Sequence, residues 1–197
     1  MKFKDFLNES VKTTVQPETK EELMKIIKDT IKEEGNKCDL NFIDTSKIKD
    51  MSRLFRGSKF NGDISEWDVS NVKDMEYMFA RSEFKGDISK WNTSKVKDMS
   101  SMFSSTDFNG DISKWDVSSV EYMSFMFNDS KFNGDISKWD VSKVKTMAYM
   151  FDESGFKGDI SGWNVSNVRN MEYMFDYSPL EGHEPKWYFN KLIRPVV

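Results

Sequence analysis

The sequence predicts an α/β solenoid, in which 24-residue units of strand, turn and short helix stack so that their strands form one parallel sheet. Three observations predict this fold. Gly-Asp-Ile recurs every 24 residues without insertion or deletion, from residues 62, 86, 110, 134 and 158, and such a period indicates a stacked array. Within each unit the apolar residues first alternate with polar ones, as in a strand, and then recur every three or four residues, as on one face of a helix. An amphipathic helix precedes the first unit, where a stack needs a cover.

Each unit follows the pattern G-D-I-S-x-W-[DN]-[VT]-S-x-V-x-x-M-x-x-M-F-x-x-[ST]-x-F-[NK]. In the first full unit, residues 63–65 alternate polar, apolar, polar, which is typical of a short strand. Four apolar residues then have the spacing of one helical face: Val72, Met75, Met78 and Phe79. Ser70 stands where such a helix needs an N-cap. The pattern therefore predicts a strand, a turn and a short helix in every unit.

We expect four regions along the chain. They are a flexible N-terminal arm (1–16), a cap helix (17–37), a six-repeat solenoid (38–181) and a C-terminal cap (182–197). The helix itself is predicted over 20–34, with Thr19 and Glu22 as a capping box and Gly35 at its end. The first repeat is degenerate, and Cys38 occupies its glycine position, where we expect a small buried side chain.

Composition excludes several classes of protein. The net charge is −4, with the basic residues spread along the chain, so no phosphate-binding stripe is present and no nucleic-acid partner is expected. No run of about 18 apolar residues occurs, so we expect no membrane span. The one histidine, His183, cannot form a histidine-based triad with Cys38 or a metal cluster with other histidines. We therefore expect no enzyme, no catalytic residues and no cofactor.

The repeat F-N-G-D-I-S-x-W-D-V-S-x-V-x-x-M-x-x-M-F resembles the BspA-like leucine-rich repeats of bacterial surface proteins and of mycoplasma and phage proteins. Residues 19–52 are similar to the N-terminal flank that precedes such repeats, and the resemblance covers residues 17–187. It implies a leucine-rich-repeat solenoid with an adhesive or partner-binding role and no catalytic residues. Members of the family are often found at the cell surface.

Residues 1–10, MKFKDFLNES, carry charges at both lysines and no apolar stretch, so they do not read as a secretory signal. We therefore expect the chain in the cytoplasm or in a phage virion. The segment is similar to the capsid-targeting leaders of internal head proteins of large phages, in which a protease cuts after a Leu/Ile-x-Glu triplet. That resemblance implies one cut after the triplet Leu7-Asn8-Glu9, which would leave Ser10 as the first residue. The alternative is an arm that leads into the cap helix.

Two columns of repeated positions are candidates for partner binding. One is aromatic in most repeats: Tyr77, Phe125, Tyr149 and Tyr173, with Ser101 interrupting. Aromatic residues are favoured anchors at protein interfaces, although these rings could instead pack between neighbouring short helices. The other is a basic strip, which we define as Lys90, Lys114 and Lys138. It could meet an acidic protein or a glycan, or it could be an ordinary solvated face.

An aspartate also recurs in every repeat. We call this column the Asp ladder: Asp39, Asp63, Asp87, Asp111, Asp135 and Asp159. Calcium is one explanation for stacked carboxylates. We prefer hydrogen bonds from serine hydroxyls and from backbone amides of the neighbouring turn, and we expect no metal.

The sequence thus favours a non-enzymatic protein-binding module whose partner it does not identify. The alternative is a phage-packaged or virion-associated accessory protein with a cleavable leader.

Overall fold

A computed structural model describes residues 13–192. Regular helix in this part of the chain is confined to α1, Lys20–Glu34, and α2, Lys186–Leu192. Between the helices the chain forms a stack of 24-residue turns, one above another. We number these as repeats 1 to 6: 38–61, 62–85, 86–109, 110–133, 134–157 and 158–181. Most of the predicted arm, the processing positions Leu7, Glu9 and Ser10, and residues 193–197 lie outside the described residues.

The predicted α/β solenoid with a parallel sheet is wrong. Parallel pairing in the described chain is limited to isolated bridges, such as Asp50 with Asp74 and Asp74 with Asp98. No helix occurs between residues 38 and 181, and no extended strand forms there. Residues 63–65, predicted as a strand, contribute one bridging residue, Asp63, and the predicted helix of each unit is a series of tight turns.

Short polar side chains make the corners of each turn. In repeat 2, carboxylate oxygens of Asp63, Asp68 and Asp74 each accept a hydrogen bond of 2.9 Å from the backbone N–H two residues later. The hydroxyl of Ser82 accepts one from the Phe84 N–H at 3.4 Å. Such bonds offer the backbone an alternative to helix and strand. Aspartate or serine at these four positions therefore favours a tight turn at each corner of the repeat.

The repeats are joined through one stretch in each, which we call the Met-Phe segment: 51–58, 75–82, 99–106, 123–130, 147–154 and 171–178. In repeat 2 the N–H groups of four residues donate to carbonyls of repeat 3 at 2.8–3.0 Å: Met75, Tyr77, Phe79 and Arg81. The N–H groups of three others donate to carbonyls three residues earlier at 3.0–3.1 Å: Met78, Ala80 and Ser82. Backbone donors thus alternate between the next repeat and the segment's own turns.

Two residues of each Met-Phe segment have left-handed backbone. In repeat 2 they are Tyr77, with φ of 56°, and Arg81, with φ of 57°. A non-glycine residue in this conformation costs about 1–2 kcal/mol and cannot continue a right-handed helix. This is the physical reason why the helical spacing of Met75, Met78 and Phe79 does not produce a helix. Repeat 1 carries a glycine, Gly57, at the second of the two positions.

The core lies inside the stack. All eight apolar positions of the repeat are buried: Ile64, Trp67, Val69, Val72, Met75, Met78, Phe79 and Phe84 in repeat 2. Equivalent rings stack on one another, with centroids 5.6 Å apart for Phe55 and Phe79 and 5.7 Å apart for Phe79 and Phe103. Offset stacking at such distances is favourable beyond the buried area. Each core column therefore belongs to the whole stack.

Indole groups provide a further link between repeats. The Nε1–H of Trp67 donates to the carbonyl oxygen of Leu40 at 3.0 Å, across 27 residues. The same bond recurs at every later tryptophan, ending with Trp187 to the oxygen of Ile160 at 3.0 Å. A buried indole needs such a partner, so the tryptophan both fills the core and fixes the register.

The N-terminal helix α1 packs against this core through Leu23 and Ile27. The Thr19 hydroxyl accepts a hydrogen bond from the Glu22 N–H at 3.2 Å, and Gly35, with φ of 88°, ends the helix. At the other end, Tyr188 in α2 is buried against the ring of Phe175 at 5.1 Å. Within the described residues, neither helix combines the length and the apolar character that crossing a bilayer requires.

The repeated glycine is needed because an aromatic ring lies over it. A Cβ at Gly110 would come within 2.8 Å of the Phe108 ring, and a Cβ at Gly86 within 2.8 Å of the Phe84 ring. The glycines also line up along the stack, since that Cβ at Gly86 would lie 3.1 Å from the carbonyl oxygen of Gly62. Cys38 fills this column in repeat 1 and is buried.

We expect Gly110→Ala to destabilise the protein by about 1–3 kcal/mol, because the new methyl group overpacks the Phe108 ring. Gly162→Ala is the matched control: a Cβ there meets nothing within 4 Å, and the substitution stabilises by about 0.4–1 kcal/mol. Urea unfolding measures both. Equal effects of the two substitutions would show that the ring does not exclude a side chain.

Glycine at the second left-handed position of a Met-Phe segment is expected to increase stability. Ser105 has φ of 55°, so Ser105→Gly is expected to raise the free energy of unfolding by about 0.5–1 kcal/mol, the left-handed penalty less the entropy of glycine. Ser119→Gly, in a position without positive φ, lowers it by a similar amount. Guanidinium denaturation distinguishes the two, and a loss of stability at position 105 contradicts the assigned conformation.

Candidate functional site

The aromatic column occupies the first left-handed position of each Met-Phe segment. Its members are Arg53, Tyr77, Ser101, Phe125, Tyr149 and Tyr173, with φ between 55° and 60°. In repeats 1 to 5 the N–H of this residue donates to a carbonyl of the following repeat. In repeat 6 the backbone beside Tyr173 is linked to repeat 5, because the Glu172 carbonyl accepts a hydrogen bond from the Tyr149 N–H. Phe125 is 37% exposed and Tyr173 is 51% exposed, while the neighbouring Met126 and Met174 are buried. The column therefore presents rings at the surface on a fixed backbone.

Three rings of the column form a continuous stack in the C-terminal half. The centroids of Phe125 and Tyr149 are 4.6 Å apart with an interplanar angle of 5°, and those of Tyr149 and Tyr173 are 5.0 Å apart at 25°. The alternative, packing between neighbouring short helices, is wrong about the helices, because residues 38–181 contain none. The rings do pack against their equivalents in neighbouring repeats. The rings stack directly along the column, which leaves an aromatic strip that we call the ring stack.

Tyr77 is separate from the ring stack. Ser101, which is buried, stands between them. Two guanidinium groups lie over the Tyr77 ring, that of Arg53 at 5.2 Å and that of Arg56 at 5.0 Å from its centroid. Arg53 also forms an ion pair of 2.6 Å with Glu76. The structure therefore places one of the four predicted aromatic residues in an intramolecular cation–π site.

Carboxylates surround the C-terminal part of the column. Burial raises the pKa of the Asp152 carboxyl above its ordinary value, and the nearby charges of Glu153 and Asp176 raise it further. Burial and the neighbouring Tyr173 and Glu172 likewise raise the pKa of the Tyr149 hydroxyl. The ring stack thus lies in a field of negative charge, which disfavours further ionisation and favours a cation.

A polar groove of about 860 Å³ runs beside the second left-handed column. Its lining includes Ser105, Asp129 and Glu153, which belong to that column. Ion pairs cross it, since Asp107 contacts Lys85 at 3.3 Å and Lys131 at 2.9 Å. The groove is hydrophilic and internally paired, so it offers less contact energy to a partner than the ring stack does.

The basic strip is part of a mixed-charge face. Lys90 pairs with Glu66 at 3.1 Å, with both side chains largely exposed. The charge of Lys114 acts on Asp111, and that of Lys138 on Asp135 and Asp159. Lysines of the strip therefore lie close enough to aspartates of the Asp ladder for their charges to interact, and Lys90 is paired with a carboxylate.

The Asp ladder makes turns. The carboxylates of Asp87, Asp135 and Asp159 each accept a 2.9 Å hydrogen bond from the serine N–H two residues later. These partners belong to the same turn, so our expectation of bonds from a neighbouring turn is wrong for them. The backbone bond lowers the pKa of each of the three carboxyls. Among residues 13–192, no group of three His, Cys, Asp or Glu side chains is arranged to hold a metal ion.

Several surface residues near the column escaped the sequence analysis. Arg53 and Arg56 lie in the degenerate repeat 1, where the aromatic column has no aromatic residue, so their contact with Tyr77 had no visible signal. Tyr177, in the second left-handed column, is 79% exposed. The signal for it was available, because its column contains Gly57, and glycine marks left-handed backbone.

The chain belongs to the family described as Mycoplasma protein of unknown function, DUF285. The pattern of this family matches residues 23–131 and again residues 81–187. The two overlapping matches together cover residues 23–187, which include all six repeats. No curated protein and no solved structure matches the chain significantly.

Acid unfolding tests the role of the Asp ladder. A carboxyl with a lowered folded pKa stabilises the fold above its unfolded value of about 3.9, and that contribution is lost as the pH falls through the folded value. Asn92 and Asn164 accept the same kind of turn bond at 3.2 and 3.1 Å. We therefore expect Asp87→Asn with Asp135→Asn to lose less stability than the wild type between about pH 4 and pH 2.

Asp152→Asn is the control of opposite sign. The pKa of Asp152 is raised in the folded state. As the pH falls through this raised pKa towards the pKa of the unfolded chain, the folded protein takes up the proton first and gains stability. The asparagine variant lacks this gain. Urea unfolding at successive pH values measures both variants. A pH dependence of the double variant identical to that of the wild type contradicts the assigned role of the ladder.

Proposed function

We propose that the chain is a non-enzymatic protein-binding module and that its partner docks on the ring stack of Phe125, Tyr149 and Tyr173. The supporting observation is the continuous stack of partly exposed rings, with centroids 4.6 and 5.0 Å apart. Large aromatic side chains supply much contact area with few rotatable bonds, which is why they dominate protein interfaces. An adhesive or partner-recognition role agrees with the implication of the BspA-like resemblance.

Preorganisation supports the same proposal. The N–H of Phe125 donates to the Ala148 carbonyl at 2.9 Å, and the N–H of Tyr149 donates to the Glu172 carbonyl at 2.9 Å. The rings of Phe125 and Tyr149 are thus attached to backbone that is bonded to the following repeat, and the Glu172 carbonyl links the backbone beside Tyr173 to repeat 5. A surface that is already ordered loses little conformational entropy on binding.

Site-specific photo-crosslinking tests the location. We expect a photoreactive phenylalanine analogue at position 173 to capture a discrete protein from the native lysate, and excess unmodified protein to compete with this capture. The analogue at position 114, in the basic strip, is the control. Equal capture at both positions, or capture at position 114 alone, overturns the assignment to the ring stack.

Serine substitutions separate binding from stability. Ser101 occupies the same column with φ of 56°, so the backbone accepts serine there. We expect unmodified protein carrying Tyr149→Ser with Tyr173→Ser to fail as a competitor of the crosslink at position 173, while its melting temperature falls by no more than a few degrees. A fall of the size caused by a core substitution, with competition retained, shows that the rings serve packing and not binding.

A further inference from the structure

The same pentapeptide, Met-Glu-Tyr-Met-Phe, occurs twice at the same position of the repeat. It spans residues 75–79 in repeat 2 and residues 171–175 in repeat 6. Its tyrosines, Tyr77 and Tyr173, have nearly equal φ values of 56° and 55°. The two copies therefore share their sequence and the left-handed conformation of the tyrosine, while their surroundings differ, so the contacts of the first copy indicate what the second can bind.

In repeat 2 this structure binds guanidinium groups from its own chain. The guanidinium groups of Arg53 and Arg56 lie over the Tyr77 ring, 5.2 and 5.0 Å from its centroid. The Glu76 carboxylate forms an ion pair of 2.6 Å with Arg53. A tyrosine face combined with a carboxylate suits the flat, delocalised arginine cation, which can stack and pair at once. Glu76 and Tyr77 thus show what the motif recognises.

In repeat 6 the residues that would supply the cation are different. The positions equivalent to Arg53 and Arg56 are Tyr149 and Asp152. Among the described residues no guanidinium or ammonium group lies over the Tyr173 ring, and no ion pair involves Glu172. Tyr173 is 51% exposed. The recognition elements are therefore present at the surface.

Carboxylates near Tyr173 also favour the binding of a cation. The charges of Glu153 and Asp176 act on Asp152 as like charges, and Glu172 adjoins the tyrosine. A guanidinium group placed on the exposed ring would relieve this repulsion. Around Tyr77, by contrast, Arg53 and Arg56 supply the positive charge that repeat 6 lacks at the equivalent positions.

We propose that Glu172 and Tyr173, with the carboxylates of Asp152 and Asp176, bind an arginine side chain of the partner protein. The partner therefore presents a basic, arginine-bearing segment to the C-terminal end of the ring stack. This inference rests on the proposed function, and it adds the chemistry by which the partner is recognised.

A pair of synthetic peptides tests the chemistry directly. One contains three arginines separated by glycines, and the other has citrulline, which is neutral and of the same shape, at each arginine position. In amide NMR titrations of the full chain, we expect the arginine peptide to shift the signals of Glu172, Tyr173 and Asp176 and to bind at least tenfold more tightly than the citrulline peptide. Equal binding of the two peptides overturns the proposal.

Substitutions locate the site. We expect Glu172→Gln and Tyr173→Ser each to weaken binding of the arginine peptide at least fivefold. Tyr122→Thr is the control, because Tyr122 is an exposed aromatic residue in a different column and Thr146 occupies the equivalent position of the next repeat. Loss of binding with Tyr122→Thr and not with Tyr173→Ser contradicts the proposed location.

A gain of function gives the sharpest test. Repeat 3 has Ser101 and Ser104 at the positions of Arg53 and Arg56, so Arg53→Ser with Arg56→Ser copies residues that this backbone already accepts. Removing both arginines exposes Glu76 and Tyr77, and we expect the arginine peptide to bind at two sites instead of one, with new shifts at Tyr77. A folded double variant with a single site contradicts the reading of repeat 2 on which the proposal depends.

The two proposals fail differently. If crosslinking at position 173 captures a partner but the arginine peptide does not bind, the ring stack is a docking surface and the arginine chemistry is wrong. If the arginine peptide binds at Tyr173 but no partner is captured there, the site recognises arginine and the docking role is wrong.

Discussion

The backbone hydrogen bonds between successive Met-Phe segments are the interaction on which the rest of the structure depends. In the segments of repeats 1 to 5, alternate N–H groups donate to the following repeat, and N–H groups between them close turns within the segment. Because every donor from Met75 to Ser82 has an acceptor, the segment can be buried beside the core without a sheet or a helix. The phenylalanine, methionine and tryptophan columns are aligned by these bonds.

This pattern requires left-handed residues at two positions of each segment, most of which are not glycine. Their cost is about 1–2 kcal/mol each, and it is offset by hydrogen bonds and ring stacking that exist only between repeats. A single repeat could not adopt this conformation alone. The first of the two positions carries Tyr77, Phe125, Tyr149 and Tyr173, so the residues proposed to bind a partner are held by the same constraint that builds the stack.

The sequence predicted the features that depend on spacing and burial. The period of the repeat, its eight buried columns and the bounds of α1 follow from apolar patterns and capping residues. The local conformation could not be predicted in the same way, because Met75, Met78 and Phe79 have a spacing that fits a helix and a series of turns equally well. The deciding residues, such as Tyr77 and Arg81, carry no intrinsic preference for left-handed backbone.

The candidate site was predictable in part for similar reasons. A shared column indicated that Phe125, Tyr149 and Tyr173 lie together, since equal positions stack. The pairing of Tyr77 with Arg53 and Arg56 depends on contacts between unlike repeats, which a repeat pattern does not reveal. The most direct test of the whole account is a scalar coupling across a hydrogen bond, measured by NMR, for the amide nitrogen of Phe127. If the Met-Phe segments are paired in this way, the coupling is to the carbonyl carbon of Met150 in the next repeat. A coupling to the carbonyl carbon of Met123, as in a helix, would show that they are not.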